Sequence, residues 1–234
     1  MLKAELHTHI NEDPKDKKFV KYSGKELVDE AVKKKFDVLA ITCHNLVYHS
    51  LELKQYAQDL GLLLIFGIEK DVEEKHVLMY NITQEEAERI NNFHDLELFR
   101  RQKPELVTIA AHPVYWGPSC LKNNIIKHLP LFDAWEHSFF HTRLINPNKR
   151  LLILAKKYNK PVVGNSDVHV IHDLGRTYSL IDSDKNEQAV FSAIKEGKVQ
   201  YVTNSLNHRE FFHIAWKAVA STIRHQIKKR LRKM

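Results

Sequence analysis

The chain has 234 residues, of which 43% are apolar and 28% are charged, a composition typical of a folded globular protein and not of a disordered or repetitive one. Two cysteines, Cys43 and Cys120, are too few for a disulfide framework and favour a reducing, cytoplasmic setting. The net formal charge of +7 lies in the segment after Glu210, which contains seven basic residues and no acidic one. No apolar run reaches the roughly 18 residues of a membrane span, and the N-terminus lacks an apolar core, so we expect neither a transmembrane segment nor a signal peptide.

Short apolar runs alternate with amphipathic segments, a pattern typical of βαβ units. Two capping boxes, Ser23 with Glu26 and Thr83 with Glu86, predict where helices begin. The predicted helices begin near residues 24, 50, 83, 147 and 186, and the third of them continues to about residue 102. The predicted strands span residues 2–6, 37–42, 62–66, 77–82, 106–111, 133–136, 161–165, 177–181 and 199–203.

Histidines are abundant, 15 in all, and many of them stand where predicted strands end. His7 and His9 follow the first strand, and His44 follows the second. The later strands are accompanied in the same way by Glu69, His76, His112, Glu136, His137, Asp167 and His169. Because the C-terminal ends of parallel barrel strands converge on one face, we expect these groups to form one site.

Six histidines and two carboxylates of this set form a mixed nitrogen and oxygen donor set. Such a set suits Zn²⁺, Mn²⁺ or Fe²⁺ better than Ca²⁺ or Mg²⁺. Each element alone is a weak signal, because His7-Thr8-His9 can be two exposed loop histidines and Glu69 can be a solvated acid. Together they predict a metal centre in which the two oxygens of Glu69 span two cations.

Five segments, in this order, resemble the PHP (polymerase and histidinol phosphatase) family: ELHTH, AITCHN, FGIEKD, AAHPVYWG, and GNSDVH followed by LGRTYSLI. The resemblance covers residues 1–205 and implies a distorted, TIM-like (β/α)7 barrel with two to three divalent metal ions (Zn, Mn or Fe). It also implies phosphoester hydrolysis and a ligand set bridged by Glu69, which comprises His7, His9, His44, Glu69, His76, His112, Asp167 and His169.

Two positions depart from the pattern of that family. Cys43 stands where the family has an aspartate, and it can be a ligand for a soft metal, a buried filler or the mark of a weakened site. Pro14 stands where related members carry a further aspartate. Among the acidic neighbours Glu12, Asp13 and Asp16, we assign Asp13 as the ligand.

A metal-bound hydroxide needs no nucleophilic side chain, and the sequence contains no nucleophile motif. Candidates for the general acid are His137, His141 and His172, each of which can instead be an ordinary surface or supporting histidine. Arg176 or Arg143 can hold a substrate phosphate or form a structural ion pair. We predict catalytic roles for His137, His172 and Arg176.

Residues 206–234 are predicted to form a basic amphipathic helical tail outside the barrel, which spans residues 1–205. The end of the tail, residues 224–234, can bind nucleic acid or an anionic surface, while its first half can pack on the barrel. Tyr115 and Trp116, which follow the fifth strand, can stack on a nucleobase or pack against the barrel rim.

These observations predict a metal-dependent phosphoesterase that acts on nucleotides or short oligonucleotides. Two alternatives stay open. One is a histidinol-phosphatase-like phosphomonoesterase acting on a small phosphorylated metabolite. The other is a non-catalytic module that binds metal and nucleic acid, which the presence of Cys43 allows.

Overall fold

The computed structural model describes residues 1–216, in which strands and helices alternate. The strands are β1 (Leu2–Glu5), β2 (Val38–Ile41), β3 (Leu63–Val72), β4 (Lys75–Tyr80), β5 (Val107–Ala110), β6 (Ala134–Ser138), β7 (Val162–Asn165), β8 (Thr177–Ile181) and β9 (Val199–Thr203). The helices are α1 (Gly24–Lys33), α2 (Leu51–Asp59), α3 (Gln84–Glu88), α4 (Phe93–Gln102), α5 (Asn124–Lys127), α6 (Asn148–Tyr158) and α7 (Glu187–Lys195). Residues 208–216 are also helical, and Leu129–Leu131 and Ile171–Asp173 are short 3₁₀ segments.

The nine strands of the described residues form one mixed sheet in the order β7-β6-β5-β4-β3-β2-β1-β8-β9. β1, β2 and β3 are mutually parallel, as are β5, β6 and β7. β4 is antiparallel to β3 and β5, and β8 is antiparallel to β1 and β9. Seven strands therefore run in one direction, and their C-terminal ends lie at the same end of a nearly closed, barrel-shaped sheet. The expected distorted α/β barrel is confirmed.

The sheet closes on itself at Gly164 in β7. The Ser179 hydroxyl in β8 donates to the Gly164 carbonyl oxygen and accepts from the Gly164 N–H, each over 3.0 Å. A Cβ atom at Gly164 would lie 2.7 Å from the Cβ atom of Tyr201 in β9. Only glycine permits so close an approach of β7 to the strands at the other edge of the sheet.

The single helix predicted from Thr83 onward is wrong, because two helices are present. Thr83 caps α3 as predicted, but that helix ends at Glu88 and α4 begins at Phe93. The Asn92 side chain accepts from the Asp95 N–H over 2.9 Å. A side chain that caps a new helix in this way competes with continuation of the old one, which explains the break.

Strand β3 extends beyond its predicted end and carries Glu69 inside a hairpin. Residues Gly67–Val72 pair with Lys75–Tyr80, and the turn residues Glu73 and Glu74 have φ of 49° and 64°. The prediction relied on the apolar pattern, which the charged residues of the second half of β3 interrupt.

Apolar side chains fill the barrel, and α7 contributes Val190, Phe191 and Ile194 to the same cluster as Ala4 and Val38. None of the described helices combines the length and the hydrophobicity that crossing a membrane requires.

The last described helix packs against the loop that follows β6. The ring of Phe211 stacks on that of Phe140 with centroids 4.5 Å apart, and Glu210 accepts a hydrogen bond from Arg176 over 2.8 Å. The start of the predicted tail therefore packs on the barrel through Phe211 and Glu210. Trp216, which we expected to pack there, is 72% exposed, and residues 217–223 lie outside the described residues. Residues 224–234, for which we predict contact with a polyanion, lie outside the described residues.

We expect Gly164→Ala to lower the free energy of unfolding by about 1–3 kcal/mol, because the new methyl group overpacks the contact with Tyr201. Chemical denaturation of the purified protein measures the change. Gln200→Ala, an exposed change in β9, is the control and should stay within about 0.5 kcal/mol of the wild type. Equal stability of all three proteins would contradict the role given to Gly164.

Candidate metal centre

Glu69 lies at the centre of a buried group of imidazoles and is 1% exposed. Its Oε1 atom lies 2.6 Å from Nδ1 of His76 and 3.4 Å from Nε2 of His7. Its Oε2 atom lies 2.9 Å from Nε2 of His44 and 3.6 Å from Nε2 of His9. The two carboxylate oxygens thus face different sets of ring nitrogens, which is the arrangement that a bridging ligand requires.

Asp167 joins the two histidines that follow β1. Its Oδ1 atom lies 3.3 Å from Nε2 of His7 and 3.3 Å from Nε2 of His9. Within residues 1–216, four buried atoms of this group have no hydrogen-bond partner: His7 Nε2, His9 Nε2, Glu69 Oε2 and Asp167 Oδ1. Buried polar atoms nearly always have partners, so this convergence indicates a ligand.

The spacing of these atoms fits a cation. Tetrahedral zinc with bonds of about 2.0–2.1 Å separates its ligand atoms by about 3.3–3.4 Å, and the contacts of Asp167 with His7 and His9 measure 3.3 Å. The donor set and its geometry therefore fit a divalent metal ion.

The other predicted ligands surround the same carboxylate. His112 Nε2 lies 3.3 Å from Glu69 Oε1 and 3.3 Å from His76 Nδ1. Donor atoms within 4.8 Å of one another form four groups, namely His7–His9–Glu69, His9–His44–His169, His44–Glu69–His76 and Asp13–Asp16–His44. The structure thus brings all nine predicted ligands together in one cluster, which can hold more than one cation.

Two of these residues leave their strands with a strained backbone. His112 and Asp167 have φ of 30° and 46°, in the left-handed region. Such conformations cost about 1–3 kcal/mol each and persist where the surroundings enforce them, often at functional sites.

Carboxylates hold the second nitrogen of several rings. Glu136 Oε1 lies 2.9 Å from His7 Nδ1. Asp13 Oδ2 lies 2.8 Å from His9 Nδ1 and 3.0 Å from His44 Nδ1. A carboxylate in this position fixes the tautomer and the orientation of a ring that binds metal through its other nitrogen. The Nε2 atoms are therefore the ones presented to the centre of the cluster.

Asp13, which the sequence suggested as a ligand, lies in a group with Asp16 and His44 that could hold a cation. Its Oδ1 atom also accepts from the N–H groups of Lys15 and Asp16, over 2.8 and 3.1 Å. Its contacts with two rings give Asp13 an orienting role, and its role as a ligand stays a prediction. Asp16, which we did not choose from the sequence, has Oδ2 2.8 Å from His169 Nε2 and 3.4 Å from His44 Nδ1, and it suits the ligand role.

The sequence placed Glu136 among the strand-end groups expected to form the site, but it assigned no ligand or supporting role to it. Besides holding His7, Glu136 accepts from the His112 N–H over 2.6 Å and from Asn165 Nδ2 over 2.8 Å. Its place near the end of β6, like that of the predicted ligands at other strand ends, was the only signal for its involvement.

The cluster concentrates opposite charges in a dry interior. Burial raises the pKa of a carboxyl group, but the imidazoles of His76 and His44 hold the pKa of Glu69 well below its usual range. Burial lowers the pKa of an imidazole, but Glu69 and Asp13 raise the pKa of His44 to about 10. Protonated rings therefore balance the carboxylates, and a divalent cation can take over that balance because it displaces protons from its ligands.

His137 does not face the cluster. It neighbours Glu136 in β6, and its ring stacks on Tyr201 at 4.5 Å and lies 5.3 Å from the ring of His141. Burial lowers the pKa of His137 to about 4, which makes it a poor proton donor near neutral pH.

The other two predicted catalytic residues also lie apart from the cluster. His172 is exposed in the 3₁₀ segment after β7. Arg176 donates to Asp173 and, over 2.8 Å, to Glu210. Within residues 1–216 neither side chain forms a hydrogen bond or an ion pair with a predicted ligand, and the contacts of Arg176 are those of the structural ion pair.

Cys43 and Tyr115 pack into the protein, whereas Trp116 is accessible. Cys43 lies in an apolar cluster with Ile10, and burial raises the pKa of its thiol to about 12, which supports the buried-filler interpretation. Tyr115 is buried and accepts from Asn148 Nδ2 over 2.9 Å. Trp116 is 61% exposed.

We expect Asp13→Asn to weaken metal binding by about 10–100-fold, because the loss of a supporting carboxylate lowers ligand basicity and order. Titration of the protein with Zn²⁺ against a competing chelator measures the affinity. Glu12→Gln, a neighbouring exposed acid, should bind metal like the wild type. Unchanged affinity in Asp13→Asn would contradict the orienting role.

Comparison with known proteins gives one match to a family model. Residues 146–199 match PHP_C, which is described as PHP-associated. The comparison with curated proteins found no match.

Solved structures share the fold. PsfC from Pseudomonas syringae is similar with a TM-score of 0.63 and 14% identity, over 94% of this chain and 97% of that one. An amidohydrolase from Chromobacterium violaceum, with bound sulfate and no metal, has a TM-score of 0.56 and 14% identity, over 84% and 97%. A candidate metal-dependent phosphoesterase from Bifidobacterium adolescentis has a TM-score of 0.53 and 16% identity, over 71% and 87%. Together with the PHP-associated match, these likenesses confirm the resemblance that the sequence motifs predicted: this chain has a PHP-like distorted barrel.

Proposed function

We propose that this protein is a metal-dependent phosphoesterase whose site is the cluster around Glu69. One observation carries the proposal: Glu69 directs its two oxygens at different sets of imidazoles, beside buried donor atoms that have no partner within residues 1–216. A paired metal site of this kind serves the hydrolysis of phosphate esters.

Divalent cations, when bound, lower the pKa of water and neutralise charge on phosphoryl oxygens. The residues of the chain then have three tasks. His7, His9 and Asp167 hold one side of the site, and Glu69 joins it to the other side. Asp13 and Glu136 keep the rings aligned, which matters because phosphoryl transfer depends mainly on positioning and electrostatics.

Lys15 supplies positive charge at the edge of the cluster. Its Nζ atom lies 3.1 Å from His76 Nε2 and 3.9 Å from Asp71 Oδ1, and its side chain is half exposed. We assign it the phosphate-holding role for which the sequence suggested Arg176, since Arg176 is engaged with Asp173 and Glu210.

Nucleotides or short oligonucleotides are the proposed substrates. Trp116 supports this assignment, because it is 61% exposed in the loop that follows His112. An exposed indole can stack on a base and contributes about 1–3 kcal/mol in proteins that bind single strands.

Glu69→Gln tests the function. We expect hydrolysis to fall at least about 100-fold, because the amide cannot supply two anionic oxygens to the cations. The assay uses p-nitrophenyl phosphate, bis(p-nitrophenyl) phosphate and 5′-phosphorylated oligonucleotides with added Mn²⁺. Glu74→Gln, an exposed acid in the adjacent turn, is the matched control and should retain activity.

The substrates separate the candidate functions. Hydrolysis of the monoester alone would favour the phosphomonoesterase alternative. No turnover of any substrate by metal-loaded protein would contradict the enzyme proposal and favour a binding module.

We expect Lys15→Ala to raise KM for a 5′-phosphorylated oligonucleotide about tenfold, the equivalent of about 1.4 kcal/mol for one charge-assisted contact. Steady-state kinetics at fixed metal occupancy provide the measurement. Lys15→Arg keeps the charge and should recover part of the loss. Lys18→Ala, an exposed cation in the same loop, should leave KM unchanged, and an equal effect of both alanine variants would refute a specific role for Lys15.

A further inference from the structure

The segment between β5 and α5, which we call the 113–122 loop, holds two histidines of the cluster. The carbonyl oxygen of Ser119 accepts from the His76 N–H over 2.9 Å. Cys120 is 4% exposed, and its Sγ atom lies 3.4 Å from Nδ1 of His112. One loop therefore restrains the backbone of His76 and contacts the Nδ1 atom of His112.

Sulfur occupies a position that carboxylates take elsewhere in the cluster. Glu136 lies behind His7, and Asp13 lies behind two further rings, at 2.8–3.0 Å. Cys120 lies behind His112 at a longer distance. A thiol is a weak hydrogen-bond partner and, unlike a carboxylate, adds little to the basicity of the ring.

The tautomer of His112 follows from its surroundings. Nε2 lies 3.3 Å from Glu69 Oε1 and faces the cluster, so it is the nitrogen available to a cation. Nδ1 then carries the proton and points at the sulfur of Cys120. Within residues 1–216 this is the hydrogen-bond contact of Nδ1, because the other polar side-chain neighbours of His112 lie on the side of Nε2.

We propose that Cys120 is a positioning residue that orients His112, and that this weak contact controls how readily a cation leaves the group formed by Glu69, His76 and His112. The proposal rests on the metal centre of the proposed function, but it does not depend on the reaction. It assigns a role to the second cysteine of the chain, for which the sequence gave none.

Metal retention tests this role in the full-length protein. Wild type, Cys120→Ala and Cys120→Ser are loaded with Zn²⁺ and equilibrated with increasing concentrations of a competing chelator, and bound zinc is counted. We expect Cys120→Ala to release one equivalent at a chelator concentration about tenfold lower than the wild type does, the small end of the range for supporting groups, because the thiol contact is weak. Cys120→Ser keeps a polar partner and should lie between the two.

Cys43→Ala is the matched control, because it removes a buried thiol from an apolar cluster and should leave zinc release unchanged. Circular dichroism of the loaded proteins checks that all variants are folded. Identical release curves for Cys120→Ala and wild type would overturn the proposal. Simultaneous loss of every equivalent would overturn it as well, because it would show a general structural role.

The outcomes separate this proposal from the proposed function. Selective release from Cys120→Ala supports the positioning role even if metal-loaded wild type hydrolyses no phosphoester, a result that would contradict only the enzyme assignment. A wild-type protein that binds no zinc would overturn both.

Discussion

Glu69 is a buried carboxylate, and a buried carboxylate is stable only with positive charge or hydrogen-bond donors beside it. The arrangement of side chains at this end of the barrel follows from that constraint. Imidazoles from four separate chain segments surround its two oxygens. The raised pKa values of His7, His44 and His112 favour protonated rings beside the buried negative charge, and a divalent cation can bind the same nitrogens after displacing those protons. The cluster is therefore an ionic network that keeps donor atoms in place for metal.

The direction of the strands brings these charged side chains together. Seven of the nine strands within residues 1–216 point one way, so side chains that follow different strands arrive at one end. Buried acceptors then restrain the rings: Glu136 binds His7, and Asp13 binds two further imidazoles. Rigid ligands on strand ends suit a reaction in which positioning and electrostatics do most of the work.

Two cationic side chains, Arg176 and Lys15, have different surroundings. Arg176 binds Glu210 and so attaches the last described helix to the barrel. Lys15 lies at the cluster itself with a half-exposed side chain, and Trp116 exposes its indole after the same strand that delivers His112. In the proposed function, Lys15 supplies a cation and Trp116 a stacking surface for a phosphorylated nucleotide.

The sequence by itself determined the alternation of strands and helices, because apolar periodicity is a local signal. Its resemblance to the PHP family implied the barrel class and most of the predicted ligands that meet in the cluster. The sequence did not determine which of two neighbouring carboxylates contacts which imidazole ring. Asp13 and Asp16 are three residues apart in one loop, and only the folded loop shows that Asp13 lies behind two rings while Asp16 reaches His169. The partnerships of Glu136 with His7 and of Cys120 with His112, and the orientation of His137 away from the site, were likewise decided by tertiary structure. Such contacts depend on strand register and loop conformation, which bring together residues that are distant in the chain and leave no local pattern.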